Sequence, residues 1–336
     1  MSLEVHIQKQ LRSFAFQVDF SLGDENLAVV GASGSGKSML LKCIAGIETP
    51  DEGEIVINGK TCFAAHRLNV PSQKRRVGYL FQDYALFPHL TVKENLTTVL
   101  SGTKAEREEK ALRLLKQFHL EHLLDSYPYQ ISGGEQQRAA LSRMLCVEPD
   151  ILLLDEPFSA LDTNLKWSVE NDLVQLLQRV QKSVVLVTHS MAEALRICSR
   201  ILILDHGKVV DFGAKEQVLE HPRTMMSAQL AGYKNFYSRQ AMPALFAAVQ
   251  VPEGKDYMAL DARRVTLLPG AGSLPLSVQF CYRTEDQEQI YYVFMQPGGN
   301  LFLTMEIGKN RAAALPVYQR NEDVTVYFPK DQILLF

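Results

Sequence analysis

No apolar run in this sequence is long enough to cross a bilayer; runs such as Ile151–Leu154 and Val184–Val187 are strand-length, far short of the ~20 residues a spanning helix needs. The N-terminal stretch MSLEVHIQKQ lacks the apolar core of a signal peptide. The five cysteines (Cys43, Cys62, Cys146, Cys198 and Cys281) form no CxxC pair, so neither a disulfide framework nor a thiolate metal site is expected, and buried reduced thiols are. A net charge of −3 gives no basic field, and a nucleic-acid partner is not expected. These absences point to a cytosolic protein that reaches a membrane only through a partner. What is present is a globular composition, 46% apolar and 22% charged, over 336 residues, a length that predicts two domains.

Up to about residue 232, strand-like runs alternate with helical patterns. Leu27–Val30, Glu54–Ile57, Val77–Phe81, Ile151–Leu154 and Ser183–Val187 read as strands. Lys37–Ala45, about 105–118 and about 165–180 read as helices, and Asn58-Gly59 is a tight-turn signal. Such alternation predicts an α/β domain on a mostly parallel sheet. Beyond it, Val265–Leu268, Leu276–Cys281, Ile290–Phe294, Leu301–Met305 and Val324–Tyr327 are short alternating runs punctuated by turns such as Pro297-Gly298-Gly299. They predict a small all-β domain of barrel type. The expected domains are therefore 1–232 and 233–336, with no low-complexity linker and no internal repeat.

Gly31-Ala32-Ser33-Gly34-Ser35-Gly36-Lys37-Ser38 fits G-x-x-x-x-G-K-[ST], with a strand before it and a helix after it. The glycines let successive N–H groups face phosphate oxygens, and the helix adds its positive N-terminal end. Lys37 supplies a point charge to the β/γ-phosphates, and the Ser38 hydroxyl is placed to ligate Mg²⁺. The second element is Ile151-Leu152-Leu153-Leu154-Asp155-Glu156. Its carboxylates emerge at the C-terminal end of a buried strand, where open α/β sheets bind ligands. Asp155 is expected to hold Mg²⁺, and Glu156 to orient or deprotonate the attacking water.

The chain also carries a second glycine turn a hundred residues away, Ser132-Gly133-Gly134-Glu135. Taken with the two phosphate-site elements, Ile131–Arg138 resembles the signature motif of ATP-binding-cassette (ABC) ATPases, usually LSGGQ, with Ile131 in place of Leu and Glu135 in place of Gln. The resemblance implies that this turn (Ser132, Gly133, Gly134 and Glu135) closes over ATP held by a second copy of the chain, so that an isologous homodimer sandwiches two nucleotides. Further elements match in order. Gln82 resembles the Q-loop glutamine that contacts Mg²⁺ or the water. Ser159-Ala160-Leu161-Asp162 resembles the D-loop, and His189 resembles the switch histidine that bonds the γ-phosphate. The family's adenine-stacking position falls near Leu11, with Phe14 and Phe16 close by.

The resemblance covers about residues 1–232 and implies a P-loop ABC-type nucleotide-binding domain with a helical subdomain at about 83–147. Within it, Gln82–Leu96 (QDYALFPHLTVKENL) resembles the groove that docks a membrane permease, its apolar cleft offered by Tyr84, Leu86, Phe87, Pro88 and His89. Val70–Val92 is similar to importer ATPases for oxyanions, metals and polyamines. Gly232–Ser238 (GYKNFYS) resembles the molybdate/sulfate branch, and Leu260–Pro269 (LDARRVTLLP) resembles the OB-like, TOBE-type regulatory barrel of those proteins. One such unit, rather than a tandem pair, gives no expectation of an anion pocket, and Arg263 and Arg264 read as a solvated basic pair.

The implied protein is the ATP-hydrolysing subunit of an oxyanion importer, using ATP and Mg²⁺, with molybdate ahead of sulfate or tungstate; iron(III), polyamine or sugar import is the alternative. Its implied place is the cytoplasmic face of the membrane, where it serves an extracytoplasmic solute-binding protein through the permease. A soluble ABC ATPase acting on DNA or ribosomes would carry two cassettes or sustained heptads, and a non-enzymatic remnant would not keep Lys37, Asp155, Glu156 and His189 intact.

Overall fold

Hairpin signals and buried apolar runs together build one large sheet in the computed structural model. The structure describes residues 2–159, 169–171, 173–175, 177, 182–286, 288–297, 301–312 and 315–336. The chain divides into two compact units, Met1–Glu216 and Gln217–Phe336; the boundary expected at 232/233 falls inside the second.

The first unit contains β1 (Leu3–Gln10), β2 (Ala15–Leu22), β3 (Leu27–Val30), β4 (Glu52–Ile57), β5 (Lys60–Ala64), β6 (Leu68–Asn69), β7 (Val77–Leu80), β8 (Ile151–Asp155), β9 (Ser183–Thr188), β10 (Arg200–Asp205) and β11 (Lys208–Ala214). Their order across the sheet is β6-β5-β4-β1-β2-β11-β10-β3-β9-β8-β7. The half from β10 to β7 is parallel. The other half is an antiparallel arm from β6 to β2, joined to β11 by one parallel pairing, with β11 antiparallel to β10, so the expectation of a mostly parallel sheet holds only for the half that carries the phosphate motifs. The arm's hairpins explain the difference: Asn58 and Gly59 both take positive φ, 53° and 71°, as a two-residue β-turn requires.

The inner parallel strands β3, β8 and β9 are buried on both faces, and Ile151–Leu154 are at most 1% exposed. Continuous apolar runs are what such strands need, and each buried Leu or Ile contributes about 1.5–3 kcal/mol. On one face, α1 (Lys37–Ala45) packs against β7, β8 and β9. The helical arm comprises α2 (Val92–Thr97), α3 (Lys104–Gln117) and α4 (Gly133–Leu145), which pack on one another. Each starts with a Thr or Ser N-cap and a Glu three residues on, in reciprocal capping boxes: Thr91/Glu94, Thr103/Glu106 and Ser132/Glu135.

The second unit has its own core, which includes Tyr237, Phe246, Met258, Phe280, Phe294, Val326 and Phe328. Its strands form two antiparallel sheets. One is β12 (Asn235–Ser238), β13 (Tyr257–Leu260) and β18 (Leu334–Leu335); the other is β16 (Phe302–Gly308), β15 (Gln289–Met295), β14 (Ser273–Glu285) and β17 (Asp323–Pro329). Together they make a half-barrel where a barrel was expected. Val265–Leu268 is not the strand its pattern suggests; it follows a 3₁₀ turn at Ala262–Arg264 and contributes a single bridge, Thr266 to Tyr327. Val265 and Leu267 pack on the core, Leu268 is exposed, and only Thr266 exchanges backbone bonds, both with Tyr327. The basic pair is only partly free, since Arg263 Nε donates to Asp261 Oδ1 at 2.8 Å. Four cysteines are buried, Cys281 is half-buried and all five are free; burial raises the Cys43 and Cys146 thiols to about 12.

Candidate functional site

The C-terminal ends of four neighbouring parallel strands deliver the predicted residues to one edge of the sheet. β3 runs into the Gly31 loop, β7 leads to Gln82, β8 ends in Asp155 with Glu156 next, and β9 leads to His189. This is where the positive ends of following helices collect and where such sheets bind ligands.

The Gly31–Ser38 loop depends on missing side chains. A Cβ on Gly31 would lie 2.1 Å from the Leu204 carbonyl oxygen of β10, and one on Gly36 would meet the Phe16 ring at 2.9 Å. Gly34 and Gly36 hold φ of 78° and 105°, which side chains resist. The Gly207 N–H donates to Ser35 O at 2.9 Å and pins the loop to the β10–β11 turn. Ala32, Ser33 and Gly34 are exposed at the loop's tip, while Ser35 is buried. The Lys37 ammonium, 5% exposed, donates to Gly31 O and Ala32 O, both at 2.9 Å. Burial lowers its pKa against the nearby charges of Glu156 and Asp155. Gly31→Ala is expected to push the loop off β10 and weaken nucleotide binding by about 100-fold, the scale of an ångström-level misplacement, with the far-UV circular dichroism retained. Titration with a fluorescent nucleotide checks this, and an unchanged affinity would show that the cradle tolerates a methyl there.

Ser38 Oγ donates to Asp155 Oδ1 at 2.8 Å, and Tyr79 donates its hydroxyl to Asp155 Oδ2 at 2.8 Å. Two adjacent hard oxygen donors beside a phosphate cradle fit Mg²⁺, which prefers one or two protein oxygens plus phosphates and water. Glu156 sits in the left-handed region, φ 45°, with its N–H donating to Val187 O at 3.0 Å. A non-glycine residue held there stores strain typical of functional positions. Its carboxylate lies 3.6 Å from His189 Nδ1, so the two expected catalytic side chains meet, with His189 the more exposed of the pair. Gln82 is exposed just past the end of β7, and no hydrogen bond joins its side chain to Ser38, Asp155 or Glu156 among the described residues.

Ser132 and its neighbours stand apart from this group, at the start of α4. Ser132 N and Oγ both donate to Glu135 Oε2 at 2.8 Å, and Glu135 N donates back to Ser132 Oγ at 3.4 Å. Hydrogen bonds from the Ser132 backbone, then its side chain, lower the Glu135 pKa. Gly134 is buried, with Gly133 partly so. Glu135 is therefore the internal cap of this turn, which the S-x-x-E spacing signals. Asp162 lies outside the described residues, as do Ala160 and Leu161; Ser159 is described, and its hydroxyl donates to Glu156 O at 2.9 Å.

In the Gln82–Leu96 segment one residue departs from the expected groove. Tyr84 does not line a cleft: it is 4% exposed, and its hydroxyl donates to Pro157 O at 3.3 Å. Phe87 (38% exposed), Pro88 and His89 do face outward. The segment is held from beneath by Asn95, fully buried, which accepts from Phe87 N and donates to Phe87 O, Leu90 O and Thr91 O. Arg143 of α4 donates to Ala85 O and Tyr84 O and lies over the Phe87 ring at 5.2 Å. Near the adenine position, Phe16 is committed to the core under Gly36. Leu11 and Phe14 are partly exposed and pack against the same core.

Sequence reasoning missed two polar residues of this region. Tyr79 was legible only as a strand residue. Arg75 was passed over within the Val70–Val92 segment, yet it is 3% exposed and donates to Cys43 O and Ile44 O at the end of α1.

Comparisons with known proteins agree with this geometry. Residues 16–159 match the family model described as ABC transporter. The chain is 40% identical over 242 residues to the sulfate/thiosulfate import ATP-binding protein CysA of Synechocystis sp., covering 70% of this chain and 67% of that one. It is 40% identical over 297 residues to the Fe(3+) ions import ATP-binding protein FbpC of Pseudomonas fluorescens, covering 83% and 84%. Among solved structures it is similar to the dimeric post-hydrolysis state of the ATP-binding cassette MJ0796 bound to ADP and Pi, with a TM-score of 0.54 and 31% identity, covering 64% of this chain and 99% of that one. With the phosphate loop, the paired carboxylates and the histidine on one sheet edge, these similarities establish that the chain belongs to the ABC transporter family and is an ABC-type ATPase.

Proposed function

We propose that this protein is the ATP-hydrolysing subunit of an importer for a tetrahedral oxyanion: molybdate, tungstate or sulfate. The carrying observation is the convergence of Lys37, Ser38, Asp155, Glu156 and His189 on one strand edge, in a chain whose relatives include a sulfate/thiosulfate import subunit.

In this reading Gly31–Ser38 cradles the triphosphate and Lys37 leaves its two carbonyls for the β/γ-phosphates. Ser38, Asp155 and Gln82 would hold Mg²⁺, which would neutralise phosphate charge when bound. Glu156 takes a proton from, or orients, the attacking water, and His189 bonds the γ-phosphate. The Ser132–Glu135 turn, with Asp162, meets the nucleotide of a second copy; the dimeric cassette among the similar structures supports that assembly. ATP favours the closed pair, hydrolysis removes the γ-phosphate contacts, and the pair parts. The Gln82–Leu96 segment, stiffened by Asn95 and Arg143, passes that motion to a permease at the cytoplasmic face of the membrane, supplied by a solute-binding protein. No helix among the described residues is long and apolar enough to cross a membrane; in this reading the permease carries the path for the anion. Residues 233–336 act as the TOBE-like regulatory unit.

Iron(III) import is the second reading, favoured by one observation: the match to the Fe(3+) import subunit extends over 297 residues, into the C-terminal unit. Uptake in a strain lacking this gene separates the two. Radiolabelled molybdate and sulfate uptake are expected to fall while iron uptake stays unchanged, with restoration by the wild-type chain. Loss of iron uptake alone would overturn the oxyanion reading.

A further inference from the structure

The Asp155 carboxylate is held at both oxygens, and only one of its two partners belongs to the phosphate loop. β7 pairs in parallel with β8, Tyr79 opposite Leu153. Side chains alternate along a strand, so Tyr79 lies on the same face as Leu153 and Asp155, the face covered by α1. From there the phenol reaches one step along the neighbouring strand to Asp155 Oδ2 at 2.8 Å. Ser38, on α1, takes Oδ1 at 2.8 Å. The Tyr79 ring is fixed in turn by Phe81, two residues on and on the same face, with centroids 4.3 Å apart. The carboxylate can only accept, so the phenol O–H is the donor of this bond.

We propose that Tyr79 is a positioning residue for the metal–nucleotide complex: it fixes the rotation of the Asp155 carboxylate so that Oδ1 stays turned toward Ser38. A carboxylate's terminal torsion is broad and roughly two-fold, so a carboxylate tied at one oxygen would sample orientations that leave the metal position unserved. The hydroxyl removes that freedom, as outer-shell partners of metal ligands generally do. The inference rests on the reading that Ser38 and Asp155 hold Mg²⁺.

The test is Mn²⁺ binding to the full-length chain with ADP, followed by electron paramagnetic resonance, alongside metal-free ADP affinity. Tyr79→Phe keeps the ring on Phe81 and deletes only the hydroxyl. It is expected to weaken Mn²⁺ binding about tenfold, at the low end of outer-shell effects, and to leave metal-free ADP affinity unchanged. Tyr79→Met, a second variant without the hydroxyl, should match it if Tyr79→Phe folds poorly. Mn²⁺ affinity at the wild-type value, or equal losses of metal and metal-free nucleotide affinity, would overturn the proposal, the second because it marks general loosening of the strand. Asp155→Asn distinguishes the failures. If it also leaves Mn²⁺ binding intact, the metal reading is wrong; if it abolishes binding while Tyr79→Phe does not weaken it, only the role of Tyr79 is wrong.

Discussion

Glu156→Gln is expected to cut steady-state ATP turnover by about 10²–10⁴-fold, the usual contribution of a general base, while ATP binding survives. The carboxamide keeps the size and the hydrogen-bonding reach of the carboxylate but accepts no proton. The strained backbone at φ 45° and the N–H bond to Val187 O are untouched, so the side chain should still point at His189, 3.6 Å away in the native chain. The phosphate loop, Ser38 and Asp155 lie in other contacts and should hold nucleotide as before. With hydrolysis blocked, the γ-phosphate stays and the closed dimer accumulates. Phosphate release measures the first effect and light scattering at saturating Mg-ATP the second. A variant that binds ATP yet stays monomeric would contradict the role assigned to the nucleotide.

Arg75→Met is expected to destabilise the first unit by about 3–5 kcal/mol, as several buried acceptors lose their donor at about 1–3 kcal/mol each. That is a large share of the 5–15 kcal/mol by which a domain is typically stable. Arg75 is 3% exposed and donates to four acceptors: Val70 O at 2.7 Å, Cys43 O and Ile44 O at 2.9 Å, and Asn69 Oδ1 at 2.8 Å. Two of these are carbonyls of the last turn of α1, which carry its partial negative charge. Burial lowers the Arg75 pKa but leaves a guanidinium in place. Methionine fills much of the volume and leaves the acceptors facing apolar atoms, a cost of about 1–3 kcal/mol for each one left unsatisfied. Gly46 shows how closely the fit is made: its added Cβ would lie 2.5 Å from Arg75 Nε. Lysine should recover part of the loss, since one ammonium serves fewer of these acceptors than a planar fork. Urea unfolding of both variants measures the differences, and an Arg75→Met transition within about 1 kcal/mol of native would show that the network is dispensable.

The phosphate loop and the strand ending in Asp155 and Glu156 were legible because their chemistry is local: glycines, a lysine and a hydroxyl within eight residues, and carboxylates just past four buried apolar ones. The capping boxes are legible for the same reason. Arg75 and Tyr79 were not, because their partners lie 32 and 76 residues away and meet only when α1 and β8 pack beside β7. Tyr84 was misread because an aromatic in a loop carries no periodicity to say which way it faces; the packing of α4 decides it. Val265–Leu268 has strand residues, but the 3₁₀ turn before it and the single bridge to Tyr327 leave it without a ladder. The antiparallel arm was underweighted because hairpin strands and crossover strands look alike until pairing is known.

The central claim is that each nucleotide is held between the Lys37 loop of one protomer and the Ser132 turn of another. In the single chain Ser132 Oγ is donated to Glu135, so the claim requires that this hydroxyl be given over to a triphosphate. The most direct measurement is a crystal structure of the Glu156→Gln chain with Mg-ATP. The account predicts a two-fold dimer with Ser132 of the partner subunit hydrogen-bonded to the γ-phosphate that the Lys37 loop holds. An ATP-loaded structure with that turn facing solvent, Ser132 still capped by Glu135 and no second copy against the phosphates, would contradict it.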